Sequence, residues 1–152
     1  MSDDLEELAR IAVDCGFKLH EALGPGLLES VYEACPFQSL AARGLSVERQ
    51  KVVPIRYEAV VLDEGFRVDL LVERRLLIEL KSTENHAPVH AKQVLTYLRL
   101  MDLPLGLLMN FGAATFRGYS SYRQQLLRGW PVKPSSCLSV FVRAFFSLGQ
   151  PA

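Results

Sequence analysis

The chain of 152 residues is 49% apolar and 22% charged, and its 17 lysines and arginines balance 17 aspartates and glutamates. These proportions fit one folded domain and exclude a disordered or collagen-like chain. No apolar run approaches the roughly 20 residues that cross a bilayer, and the acidic start MSDDLEELAR lacks the positive charge of a secretory leader, so the expectation is a soluble, cytoplasmic protein without a membrane partner.

Asp3 to Leu23 places Leu5, Leu8, Ile11, Ala12, Cys15, Leu19 and Leu23 at helical spacing, and Gly24-Pro25-Gly26 ends that helix. A second helix is expected from Leu27 to Ala42, stopped by Gly44. Pro36 lies inside it, and an interior proline costs about 3 kcal/mol, so a kink or break is expected near Cys35. The period then changes from helical to alternating. Val47 to Tyr57 and Val60 to Asp63 read as strands around a turn near Glu58. Phe66 to Val72 and Leu76 to Lys81 form a further pair, joined by the charged turn Glu73-Arg74-Arg75. Pro88 to Met101 reads as a third helix with an apolar line at Ala91, Val94, Leu95, Leu98 and Met101. Pro104 to Asn110 is a buried strand by its apolar run.

The charge balance conceals an asymmetry. Residues 1–102 carry 17 acids and 12 bases, whereas residues 103–152 carry no acid and five bases, Arg117, Arg123, Arg128, Lys133 and Arg143. A basic tail of this kind either contacts a polyanion or lies against the acidic front. Cys15, Cys35 and Cys137 are widely spaced and form no C-x-x-C pair, which fits small apolar residues in a reducing compartment. His86 and His90 are four apart, but no third soft ligand accompanies them, so a zinc site is not expected. His20 reads as an ordinary helix histidine.

One constellation carries chemistry. In Leu76-Leu77-Ile78-Glu79-Leu80-Lys81, Glu79 and Lys81 share a face, roughly 7 Å apart along the strand. If the hairpin closes at residues 73–75, Asp69 of the preceding strand comes beside them. Two carboxylates and an ammonium at the end of an apolar strand suit a hard divalent cation with a positioned water. The plain alternative is an ion-pair cluster at a sheet edge.

Four blocks stand in order: Gly26-Leu27-Leu28-Glu29-Ser30-Val31-Tyr32, Gly65-Phe66-Arg67-Val68-Asp69, Ile78-Glu79-Leu80-Lys81, and His90-Ala91-Lys92-Gln93-Val94-Leu95-Thr96-Tyr97-Leu98. Together they resemble the GxxExxY proteins, a branch of the PD-(D/E)xK nuclease superfamily, over about Asp4 to Gly112. The resemblance implies an α/β, restriction-endonuclease-like core with a central mixed β-sheet flanked by helices. It implies Asp69 and Glu79 as metal ligands, with the Leu80 carbonyl and Glu29 as further ones. Lys81 would orient the attacking water and offset charge on the phosphate, and Gln93 would support the site. Glu29 also reads as a first-turn acid favoured by the helix dipole, with Gly26 as cap, and Tyr32 as its brace or as a half-buried tyrosine. Val68 replaces the proline of the family pattern.

The domain expected is residues 1–112, with residues 113–152 as a basic extension, an appendage or poorly ordered. The function implied is Mg²⁺-dependent hydrolysis of phosphodiesters in nucleic acid, DNA before RNA, with Mn²⁺ as a substitute ion. A catalytically silent nucleic-acid-binding or protein-interaction module on the same fold is the second reading. A hydrolase of small phosphates, with a closed pocket, is the third. The sequence leaves oligomeric state open, a homo-oligomer included.

Overall fold

Eight elements follow one another in the computed structural model, which describes residues 2–85, 87–116 and 119–123. They are α1 (Ser2–Leu23), α2 (Glu29–Ala42), β1 (Val47–Tyr57), β2 (Val60–Val72), β3 (Leu76–Lys81), α3 (Pro88–Met101), β4 (Leu105–Asn110) and β5 (Tyr119–Arg123). The five strands form one sheet in the order β1-β2-β3-β4-β5. Neighbours are antiparallel except β3 and β4, which are parallel and need the crossover that α3 supplies. The arrangement is the expected mixed sheet flanked by helices.

The strand alternation decides which helix covers which face. Leu70, Val72, Leu76, Ile78 and Leu80 pack with Leu5, Leu8, Ala12 and Cys15 of α1 and with Tyr32 and Leu40 of α2. Leu71, Leu77 and Leu108 face the other way, onto Val94 and Leu98 of α3. β4 is buried along its whole length, as expected of a strand with helices on both faces. His20 belongs to the interior, its Nε2 2.8 Å from the carbonyl of Ala113. Cys15 is a buried free thiol and Cys35 a partly buried one.

Three expectations change. The helix carrying Pro36 runs unbroken from Glu29 to Ala42. Proline removes one ladder hydrogen bond at a cost of about 3 kcal/mol, but Tyr32, Pro36 and Leu40 are all buried along one stripe, and each such side chain returns about 1.5–3 kcal/mol. Residues 60–63 and 66–72 form a single strand, β2, instead of two. The irregularity falls as a register shift between Val53 and Ile55 around Pro54, and it is absorbed at Gly65, where a Cβ would stand 2.3 Å from the Ile55 side chain. Finally, the sheet continues past residue 112, because β5 pairs with β4 and Arg123 forms an ion pair with Glu6 of α1. The rest of the basic tail, residues 124–152 with Cys137, lies outside the described residues.

Candidate active site

β2 and β3 pair at Val72↔Leu76, Leu71↔Leu77 and Leu70↔Ile78, and the ladder ends there. Asp69 and Glu79 occupy the next positions, where the two strands part. The Leu80 N–H points into the gap and donates to Asp69 Oδ2 at 2.8 Å. On the opposite side, the Lys81 carbonyl accepts from Phe111 N at 2.8 Å. Alternate residues of β3 thus turn their backbone towards β4 and towards the gap. A residue in extended conformation points N–H and C=O to the same side, so the Leu80 carbonyl faces the gap as well.

Glu79 is only 3% exposed. Its Oε1 accepts from Lys81 Nζ at 2.9 Å, which places the pair on the shared face expected from strand parity. Its Oε2 is buried and has no hydrogen-bond partner among the described residues. Glu29, the first residue of α2, accepts from the Ser82 N–H at 3.2 Å and so bridges from helix to the end of β3. The residue before it, Leu28, is the helix N-cap and offers no side-chain cap, so Gly26 does not fill that role. Tyr32 does not brace Glu29. Its hydroxyl donates to the Gly24 carbonyl at 2.5 Å and its ring stacks on Phe111 at 4.6 Å, fixing the loop between α1 and α2. Gln93 donates to the Tyr97 hydroxyl at 2.6 Å, on the helix that covers the Glu79 and Lys81 face.

Glu29, Ser30, Glu33, Gln50, Asp69 and Leu80 line a cavity of about 240 Å³. Three of these, Glu29, Ser30 and Gln50, are exposed, so the cavity opens to solvent. The electrostatics of Asp69, and of the adjoining Glu79 and Lys81, which do not line the cavity, follow from burial and from crowded acids. Burial pushes the Asp69 carboxyl up, against the Leu80 N–H and the Lys81 charge that pull it down. Burial, then the negative charge of Asp69, push Glu79 up to about 7, against its hydrogen bond to Lys81. Burial pulls Lys81 down, but the hydrogen bond and charge of Glu79, with Asp69 and Glu29, outweigh it and the ammonium is held above its ordinary range. The cluster therefore carries more negative charge than Lys81 can balance.

Among the described residues, no three His, Cys, Asp or Glu side chains form a ready metal cage. A magnesium-type ion needs only one or two carboxylates, the rest of its shell being water or phosphate oxygen. Asp69, the orphaned Glu79 Oε2 and the Leu80 carbonyl are hard oxygen donors of that kind, so the residues present fit such an ion. His86 lies outside the described residues, and with it the zinc pairing considered for His90.

The profile of the PD-(D/E)XK nuclease superfamily matches residues 6–122. The chain belongs to that superfamily. No match was found among curated proteins or among solved structures. No helix among the described residues is long and apolar enough to cross a membrane.

In this PD-(D/E)XK domain, three residues outside the motif blocks also bear on the site. Glu33 is buried and held by Arg49 Nε at 2.8 Å; its position one turn after Glu29, on the same helix face, was the available signal. Gln50 donates to Glu33 Oε2 and, at 3.2 Å, to Asp69 Oδ1, and nothing in its local sequence announces this. Asn110 at the end of β4 clamps the segment that leaves the site. Its Oδ1 accepts from the Thr83 and Gly112 N–H groups, both at 3.0 Å, and its Nδ2 donates to the Thr83 carbonyl at 2.7 Å. Buried and polar at the end of an apolar strand, it carried a readable signal.

Proposed function

We propose that this protein is a Mg²⁺-dependent nuclease of the GxxExxY branch, hydrolysing phosphodiester bonds in nucleic acid with DNA as the favoured substrate. Asp69, Glu79 and the Leu80 carbonyl would hold the ion, with Glu29 beside them. When bound, the ion supplies Lewis-acid activation of water and neutralises charge on the phosphate. Lys81 remains protonated at neutral pH, so it acts as a cation and donor and not as a base. From 2.9 Å off Glu79 it donates to the attacking water, aiming a lone pair at phosphorus, and offsets the charge that builds on the phosphate oxygens. Gln93, on α3, supports the same face.

The observation that carries this reading is the buried Glu79 carboxylate with one oxygen on Lys81 and the other unpartnered. A plain ion-pair cluster would not leave a buried acceptor orphaned beside a second acid. The opening of the cavity to solvent favours a polymer over a small phosphate held in a closed pocket. The test is incubation of purified protein with linear, circular and single-stranded DNA, with Mg²⁺, Mn²⁺ or chelator. Cleavage that needs the divalent ion and disappears in Asp69→Ala is expected; cleavage unaffected by that substitution overturns the assignment.

One observation favours the second reading, a module without turnover. Residues 1–102 carry 17 acids against 12 bases, an unfavourable field for a polyanion. Calorimetry with Mn²⁺ separates the two, because the nuclease binds the ion through Glu79 and loses it in Glu79→Ala, whereas the module shows no such site.

A further inference from the structure

Gln50 lies in the middle of β1, yet its φ is +48°. Side chains other than glycine, asparagine and aspartate rarely adopt that left-handed conformation, and it costs roughly 1–2 kcal/mol. No turn demands it. Arg49 pairs with Leu70 and Lys51 with Val68, so the strand continues on both sides and Gln50 stands opposite Asp69. The unusual backbone is confined to the one position facing that acid.

We propose that Gln50 is a positioning residue for Asp69, backed by Glu33, in the hydrolytic reaction proposed above, on which this inference rests. A primary amide nitrogen has two hydrogens, and here both go to carboxylates. One bond reaches Glu33 Oε2 and the other Asp69 Oδ1. Glu33 is itself fixed, because Arg49 Nε takes its other oxygen at 2.8 Å. The amide is therefore oriented from behind, with its nitrogen towards the site. At the far end, Asp69 Oδ2 already accepts from the Leu80 N–H. Both Asp69 oxygens are thus held, the carboxylate plane cannot rotate, and each oxygen keeps a lone pair for a cation. A neutral double donor is the group this place requires, since a third carboxylate would repel the two acids and a bare apolar side chain would release them.

The test exploits the backbone. Gln50→Gly accepts the positive φ without strain and deletes only the side chain. In the 152-residue chain the relieved backbone strain offsets the hydrogen bonds lost at Glu33 and Asp69 and the fold is retained, while Mn²⁺ affinity by calorimetry falls roughly 10–100-fold, the range seen when partners of metal ligands are removed. In divalent-dependent DNA cleavage kcat falls and KM holds. Gln50→Asn, which tolerates the same backbone and keeps a shorter amide, restores part of the affinity. If Gln50→Gly binds Mn²⁺ as wild type does, the positioning role is refuted and the nuclease reading survives. If wild type itself binds no Mn²⁺, the nuclease reading falls and this role falls with it.

Discussion

Among the described residues, Glu79 is the one whose environment opposes its charge most strongly. Its ordinary value is 4.5 and burial with Asp69 nearby moves it to about 7. Between those two pH values the folded chain keeps a proton that the unfolded chain has released, so the metal-free protein loses stability as pH rises through the window and levels off above it. The loss is on the order of 3 kcal/mol, since each tenfold change in proton affinity is worth about 1.4 kcal/mol. Glu79→Gln keeps an acceptor for Lys81 and removes the buried charge. It is expected to raise stability by about 1–3 kcal/mol at pH 8 and by much less at pH 5, in chemical denaturation at both pH values, while abolishing divalent-dependent cleavage. Residues of this kind were legible in the sequence, because Asp69, Glu79 and Lys81 are charges set in or beside apolar strands. Gln50 was not, since its partners Glu33 and Asp69 come from other elements and only the assembled sheet brings them to one amide.

Elements whose pattern is local are legible in the sequence. β3, α3 and the turn between β2 and β3 follow from alternation, from Pro88 in the first helical turn and from the charged triplet 73–75. Tertiary packing overrides local preference at Pro36 in α2 and at Gly65 within β2. Packing is equally tight at the join between β3 and β4. Gly112 follows β4 directly, and a Cβ there would stand 2.3 Å from the Thr83 backbone. Backbone atoms cannot give way as a flexible side chain does, so the loop must move. Thr83 adjoins Ser82, whose N–H holds Glu29. Gly112→Ala is therefore expected to destabilise the domain by about 1–3 kcal/mol or more and to lower cleavage at temperatures where it remains folded. A melting curve and an assay below the transition measure the two effects separately.

At the scale of the whole molecule, composition hid what position reveals. A neutral chain holds all its acids in residues 1–102 and five bases with no acid in residues 103–152. Arg123 is satisfied by Glu6 of α1, which is the contact of tail with front that the asymmetry allowed. If Arg128, Lys133 and Arg143 meet phosphates instead, replacing all three with Gln lowers the slope of log affinity against log salt on duplex DNA by about 3, read by fluorescence anisotropy across a salt series. An unchanged slope places the phosphate contacts elsewhere. The outermost strand bears on the behaviour of many copies together. β1 ends the sheet, and its hairpin with β2 leaves Val52, Tyr57, Val60, Val61 and Leu62 exposed. Such a ribbon invites lateral recruitment of another copy's strand. Pro54 has no N–H to lend to such a pairing, so this strand carries one built-in break against it.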